Sequence, residues 1–279
     1  MGEENRKTPR GFVDAHVHIQ EAAGLGDVVA AGIVAVRDAG TQLGAGLGST
    51  TSPGDAPSPR VLSAGRGLFK KDGYGSFLGV SLGTREEIQS EIAALNSAGA
   101  GIIKAVASGV VSLKKPGSIT PGGFDGPELD FIVQEAGKHG LGVMAHANGE
   151  QAIMAALSAG VRSIEHGFFM TRAALALMAG KGDVFWVPTV GALARAAGSG
   201  TASAEARDFV DALIQSHLEM IGYAYAAGVS LALGTDCVIP HPEYGKAYEA
   251  ELMYFEQAGI PPGEVKKIAC EGGARLLGI

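Results

Sequence analysis

Short apolar segments alternate with polar or alanine-rich segments along most of the chain. Eight of the apolar segments are strand-sized and rich in β-branched residues: Phe12–Ile19, Gly32–Asp38, Arg60–Arg66, Gly101–Ala107, Leu141–Ala147, Ser163–Gly167, Val184–Thr189 and Ser230–Asp236. Strands separated by helical segments are typical of βα units on a parallel sheet. Eight such units in 279 residues predict an α/β fold, a closed (β/α)8 TIM barrel, with an open doubly wound sheet as the alternative.

Local signals place helices between several of these strands. Thr84 predicts an N-cap, because Glu87 stands three residues later and completes a capping box. The alanine-rich segments Gln151–Ala159 and Ala204–Ala227 have helical periodicity and end at glycine. We therefore expect helices to begin after Thr84 and to cover both alanine-rich segments.

The domain organisation is simple. Two long segments, Gly40–Pro59 and Ser108–Gly126, contain no clear element, and loops of this length in a compact domain are usually functional or disordered. We expect one barrel domain over residues 11–279, preceded by a flexible N-terminus over residues 1–10.

Composition narrows the classes of partner. A hydrophobic fraction of 46% with 18% charged residues is typical of a globular chain with a large core. The net charge of −7 comes without a basic patch, so nucleic acid is not an expected partner. Apolar segments are too short to span a membrane, and two cysteines make no disulfide framework. We expect a cytoplasmic protein that binds a small-molecule substrate, and a homo-oligomer is compatible with the sequence.

Candidate chemistry lies at the ends of the predicted strands, which converge on one mouth of a barrel. His16 and His18 alternate onto one face of the first strand, where both imidazoles can reach one metal ion. Four further side chains stand near the ends of other strands: Lys104, His146, His166 and Asp236. Imidazole and carboxylate ligands suit zinc and similar ions, so this set predicts a metal site.

Other polar residues receive weaker assignments. Asp14 is expected to accept hydrogen bonds from metal-binding histidines, and alternation turns Glu165 toward the helix layer. Cys237 is expected to be a packing residue. His139 and His217 fall on predicted helices and are expected at the surface.

Three residues near strand ends are candidates for substrate binding. Tyr74 follows the third strand, Arg37 ends the second, and His241 follows the eighth. The alternatives are a loop tyrosine, a structural ion pair with Asp38, and a surface histidine.

The chain resembles the amidohydrolase superfamily along residues 11–279, in the order and strand positions of five motifs: Val13–His18, Ile103-Lys104, Ala145-His146, Ile164–Gly167 and Gly234–Asp236. Four further segments resemble its imidazolonepropionase and Xaa-Pro dipeptidase branch: Val36–Gly40, Arg60–Leu62, Val187–Thr189 and Ala274–Gly278. Many superfamily members carry a flanking β-sandwich, and we expect this sequence to leave no room for it. Either this branch lacks the sandwich or the chain is a trimmed version.

The resemblance implies two divalent metal ions, zinc first and manganese as the alternative. His16 and His18 would hold one ion, and His146 and His166 the other. Lys104, carboxylated by carbon dioxide to a carbamate, would bridge them, whereas the alternative is a lysine paired with Asp14 or Asp38. Asp236 would bind a metal and transfer protons.

The implied function is a metal-dependent amidohydrolase that cleaves an amide bond with a metal-bridging hydroxide. Its substrate would be a dipeptide, an N-acyl amino acid or a cyclic amide. Three alternatives stay open: a lactone or phosphoester hydrolase on the same binuclear site, a mononuclear deaminase, and a non-catalytic metal-binding scaffold. The bridging lysine argues against the deaminase.

Overall fold

Parallel strands dominate the computed structural model, which describes residues 11–49, 58–198 and 202–279. The flexible segment predicted for residues 1–10 lies outside this range. The strands are β1 (Phe12–Ile19), β2 (Ile33–Asp38), β3 (Arg60–Ser63), β4 (Gly67–Lys70), β5 (Gly79–Leu82), β6 (Ile103–Val106), β7 (Val143–Ala147), β8 (Ser163–His166), β9 (Phe185–Val187), β10 (Ser230–Leu231) and β11 (Cys237–Ile239).

The strands form two hydrogen-bonded sheets, ordered β11-β1-β2-β3 and β10-β9-β8-β7-β6-β4-β5. Residues 64–66 separate β3 from β4, and residues 232–236 separate β10 from β11. Each pair is one interrupted strand whose first part belongs to one sheet and whose second part belongs to the other. The two sheets therefore meet at two seams, one formed by β3 and β4 and the other by β10 and β11.

Backbone hydrogen bonds close both seams. The Gly101 amide donates to the Ser63 carbonyl (2.9 Å), and the Ala15 amide donates to the Leu233 carbonyl (2.7 Å). The eight predicted strands follow one another around the ring in chain order, with β5 as an addition outside β4. This is the arrangement of a (β/α)8 barrel, so the predicted fold class is confirmed.

Helices fill the intervals between strands: α1 (Leu25–Ala30), α2 (Arg85–Ser97), α3 (Gly126–Lys138), α4 (Glu150–Ala159), α5 (Arg172–Lys181), α6 (Val190–Gly198), α7 (Ala204–Ala226), α8 (Tyr244–Gln257), α9 (Pro262–Lys267) and α10 (Gly273–Leu277). Thr84 and Glu87 form the predicted capping box, and Asp125 with Glu128 forms a second one. Within the described part of the chain, no helix is both long and apolar enough to cross a membrane.

Candidate metal centre

The carboxylate of Asp236 lies among three of the predicted histidines. Its Oδ1 is 3.0 Å from Nε2 of His18 and 3.3 Å from Nε2 of His16, and its Oδ2 is 3.9 Å from Nδ1 of His166. The Nζ atom of Lys104 is 3.5 Å from Nε2 of His16. The strand ends therefore bring these side chains together, although 220 sequence positions separate the first from the last.

His146 completes the group from the end of β7. Its ring centroid is 4.5 Å from that of His166 and 5.2 Å from that of Tyr74. All six predicted ligands consequently surround one space at the carboxyl ends of the strands.

Left-handed backbone conformations aim several of these side chains. His166 ends β8, Thr189 lies just after β9 and Asp236 directly precedes β11, and their φ angles are 63°, 47° and 56°. Non-glycine residues adopt this conformation at a cost of about 1–3 kcal/mol and do so mainly at functional sites. Here it ends the regular alternation of side chains, so His166 and Asp236 point into the centre.

Each of the four imidazoles uses one ring nitrogen for a hydrogen bond inside the protein. The pairs are His16 Nδ1 with Glu165 Oε2 (2.6 Å), His18 Nδ1 with the Gly40 carbonyl (2.6 Å), His146 Nε2 with the Gly109 carbonyl (3.0 Å), and His166 Nδ1 with Thr189 Oγ1 (2.7 Å). Such partners fix the ring and its tautomer, and they leave the second nitrogen for another ligand.

Glu165 occupies a different place from the one expected. It is completely buried inside the barrel, where its carboxylate accepts hydrogen bonds from His16 and from Nη2 of Arg37 (2.8 and 2.9 Å). The prediction that it faces the helix layer is wrong, because the left-handed conformation of His166 breaks the alternation on which that prediction depended.

Arg37 likewise has no access to a substrate, so its assignment as a substrate-binding residue is wrong. Its side chain is fully buried, and it donates to Glu165, to Ser163 Oγ (2.8 Å) and to the Ala15 carbonyl (2.7 Å). Arg37 therefore supports the carboxylate that holds His16.

Asp14 also differs from its expected role. Its carboxylate accepts hydrogen bonds from the backbone amide of His16, from Thr235 and from the Tyr244 hydroxyl (2.7 Å). It bonds to no imidazole of the described residues. Asp14 instead fixes residue 235, which directly precedes Asp236.

Burial determines the protonation of the group. Desolvation lowers the pKa of His146 to about 4, and it lowers the pKa of His16 and of His166 well below the usual value. Desolvation also lowers the pKa of Lys104 to about 8. Burial alone would raise the pKa of Asp236, but the neighbouring His16 and His18 bring it below its usual value. These directions favour neutral rings for His16, His146 and His166 beside a carboxylate.

Five of these side chains line a cavity of about 630 Å³: His18, Lys104, His146, His166 and Asp236. Of the residues predicted to bind substrate, Tyr74 lines this cavity, whereas His241 is not among the lining residues. The walls are mostly apolar and include Phe77, Leu78, Val111, Phe168, Leu193 and Val238. The space suits a small organic molecule with apolar groups.

Sequence reasoning missed Asn148, which connects three elements around the site. Its side-chain amide donates to the Gly109 carbonyl (3.2 Å), its Oδ1 accepts from the Phe168 amide (3.0 Å), and its backbone amide donates to Ser108 Oγ (2.8 Å). Its place two residues after His146 was the available signal, because alternation puts both on one face.

His217 is not the surface residue that was expected. It is 2% exposed and stacks on Phe168, with ring centroids 4.5 Å apart. Burial lowers its pKa to about 4. It therefore belongs to the packing behind one wall of the cavity.

The donor set fits a divalent metal ion. Nitrogen atoms of His16 and His18 and an oxygen of Asp236 lie within 4.8 Å of one another. Imidazoles and a carboxylate form the mixed shell that zinc-like ions accept. The ring of His166 lies near this group, with its centroid 5.1 Å from that of His16, and the ring of His146 packs against His166. The residues present therefore suit the group that the sequence predicted.

Comparisons with known proteins agree with this architecture. The chain is 31% identical over 243 residues to ochratoxinase of Aspergillus niger, an alignment covering 84% of this chain and 49% of that protein. The chain thus spans about half the length of this relative. A solved prolidase with bound N-methylphosphonate-L-proline is 26% identical, with a TM-score of 0.78 over 97% of this chain and 74% of the other.

A solved Xaa-Pro dipeptidase shares the fold. It is 23% identical with a TM-score of 0.80, and the match covers 100% of this chain and 80% of that chain. The sequence model of the amidohydrolase family matches residues 10–279. The chain therefore belongs to the amidohydrolase family.

Proposed function

We propose that this protein hydrolyses amide bonds with two divalent metal ions at the base of its cavity. Zinc is the expected metal, and manganese is the alternative. One observation carries the proposal: strand ends from different parts of the barrel bring four histidines, a lysine and an aspartate together at one end of a single cavity. A hydrolytic site needs this combination of ligands and a proton acceptor. The prolidase and ochratoxinase relatives support an amide as the substrate.

In this proposal the ligands would divide into two groups, with Lys104 between them. His16 and His18 would hold one ion, and His146 and His166 would hold the other. When bound, the ions would supply Lewis acidity, which polarises a carbonyl and lowers the pKa of water. Glu165 and the Gly40, Gly109 and Thr189 oxygens keep the four rings in the required orientations.

Asp236 would act as the proton carrier of the reaction. Its carboxylate faces the same space as the histidine nitrogens and is partly open to the cavity, at 21% side-chain exposure. It can therefore take a proton from the attacking water and deliver it to the departing amine nitrogen. The Tyr74 hydroxyl would orient the substrate from its position beside His146, because burial raises its pKa and keeps it a neutral donor.

Lys104 would be carboxylated on its Nζ. The side chain is 1% exposed and forms no ion pair with a carboxylate of the described residues, so the paired alternatives with Asp14 and Asp38 lack support. A neutral amine adds carbon dioxide and loses one proton, which gives an anionic carbamate with two oxygen ligands. The carbamate would replace a positive charge beside two cations with a negative one.

The carbamate has its own test. A Lys104→Ala variant should lose metal and activity, and short carboxylic acids should partly restore both. Intact mass spectrometry under carbon dioxide should show the added mass of one carbon dioxide. The difference density of a metal-loaded crystal should show three added atoms on the lysine. An unmodified amine beside two fully occupied metals would contradict the carbamate.

A turnover screen tests the reaction itself. Protein reconstituted with zinc or manganese should release amines from apolar dipeptides, N-acyl amino acids or cyclic amides, and the Asp236→Asn variant should do so at least about 10²-fold more slowly. Lactones and phosphotriesters form the comparison set because the same site could hydrolyse them. Turnover of those compounds, without cleavage of any amide, would replace the proposed function.

A further inference from the structure

The segment that follows β6 forms a closed hairpin tip at the cavity. Val111 pairs with Ile119 in an antiparallel bridge. The Ser112 amide donates to the Ser118 carbonyl (2.9 Å), and the Lys115 amide donates to Ser112 Oγ (3.0 Å). These bonds define the backbone of the turn, so the tip has a defined place at the cavity.

The base of this hairpin is attached to the metal centre. The Gly109 carbonyl accepts a hydrogen bond from the His146 ring and another from the Asn148 side chain, and Ser108 Oγ accepts from the Asn148 backbone. The tip therefore has a defined position relative to the reacting groups.

Lys114 lies on this tip and lines the cavity, whereas the adjacent Lys115 does not. Lys114 is exposed to solvent and pairs with no carboxylate of the described residues. The cavity lining contains one acidic side chain, Asp236, and it lies at the base among the histidines. Lys114 thus places a positive charge at an outer, otherwise mostly apolar wall.

We propose that Lys114 is a specificity-determining residue, which binds a carboxylate at the mouth of the cavity. The inference rests on the proposed amide hydrolysis and adds a substrate class: amides with apolar groups and a carboxylate remote from the scissile carbonyl. A cation on a defined turn attracts an anionic group, and no acidic neighbour competes for it. The apolar walls accommodate the part of the substrate between the carboxylate and the amide.

Two probes that differ in one group test the proposal: 6-(benzoylamino)hexanoic acid, whose free carboxylate is separated from the scissile amide by an apolar methylene chain, and 6-(benzoylamino)hexanamide, in which that group is neutral. The readout is the ratio of their kcat/KM values, measured from benzoate release by the zinc-loaded protein. We expect a preference for the acid of roughly 3- to 10-fold, the scale of a partly exposed charged contact. The Lys114→Met variant should reduce it to less than about 2-fold.

The chain offers a matched control in Lys115, which stands on the same turn but outside the cavity lining. The Lys115→Met variant removes the same net charge and should keep the preference, and Lys114→Arg should also keep it. Raising sodium chloride should weaken the preference in the wild type but not in Lys114→Met, because salt screens exposed charges. An equal loss of preference in both methionine variants would overturn the proposal.

A binding measurement separates this inference from the proposed function. Calorimetric titration of the zinc-loaded Asp236→Asn variant, with and without Lys114→Met, measures the binding of each probe where turnover is slow. The readout is the ratio of the Kd for the neutral probe to the Kd for the acid. Absence of benzoate release would count against amide hydrolysis for this probe, while tighter binding of the acid through Lys114 would still support the subsite. Failure of the acid to bind more tightly than the amide when Lys114 is present would overturn the subsite.

Discussion

Nδ1 of His16 and Oε2 of Glu165 lie 2.6 Å apart in a fully buried hydrogen bond. The same carboxylate accepts from Arg37, so one buried ion pair orients one of the candidate metal-binding imidazoles. This relationship links the stability of the barrel interior to the geometry of the site.

The Glu165→Gln variant should bind zinc about 10–100 times more weakly, because a neutral amide orients and polarises the His16 ring less well than a carboxylate. Competition with a chromogenic chelator measures the affinity. Glu251→Gln is the matched control, since Glu251 is equally buried but bonds to backbone amides of α6. Equal zinc affinity in Glu165→Gln and wild type would show that this carboxylate does not support the ligand.

The Arg37→Met variant should lose about 3–5 kcal/mol of stability, because it leaves the carboxylate of Glu165 buried without its partner. Chemical denaturation of the metal-free protein measures the change in the free energy of unfolding. Arg60→Met, in the neighbouring strand, removes an exposed arginine and should change it by less than about 0.5 kcal/mol. A stable Arg37→Met protein with a raised KM would restore the earlier assignment of Arg37 to substrate binding.

Sequence patterns predicted much of this arrangement. The bounds of β1 match the predicted strand, and His16, His18, Lys104, His146, His166 and Asp236 meet as expected, because parallel strands in a barrel end at one mouth. Their roles as metal ligands stay proposals.

The misplaced residues have physical reasons. Side chains alternate between the two faces of a strand only where the backbone is extended. The left-handed conformation of His166 breaks this alternation, so the sequence pattern did not predict that Glu165 points inward. Arg37 resembles a surface charge in the sequence, since its partner is 128 positions away. The interruption between β10 and β11 depends on pairing with β9 and β1, which no local pattern reports.

Glu251 should give the protein a recognisable pH dependence. Burial raises the pKa of this carboxyl to about 8, although the amides of Gly191 and Val190 and the charge of Arg195 act in the opposite direction. Between its usual 4.5 and about 8, the folded protein holds a proton that the unfolded chain has released. The contribution of Glu251 to the free energy of unfolding is therefore fully present below pH 4.5 and is lost as the pH rises toward about 8.

Thermal midpoints at several pH values between 5 and 8 test this account. Glu251→Gln cannot titrate, so its midpoint should fall less than that of the wild type over this range. Parallel curves for the two proteins would show that Glu251 is already ionised in the folded state.

The Asp236→Asn variant should keep the thermal midpoint of the metal-free protein within a few degrees, while kcat falls about 10²-fold or more. The reason is that asparagine fills the same space but cannot carry a proton. Metal content should be determined on the same sample, so that loss of a ligand is distinguished from loss of proton transfer. Normal turnover in this variant would exclude Asp236 as the proton carrier.

Metal stoichiometry tests the central claim most directly. The protein should be purified without chelator, reconstituted with zinc, freed of loosely bound ions by gel filtration, and analysed for zinc per chain by plasma mass spectrometry. Two pairs of histidines, with Lys104 and Asp236 beside them, predict about two ions per chain. A value near zero would contradict the metal-dependent hydrolase, and a value near one would contradict the binuclear site.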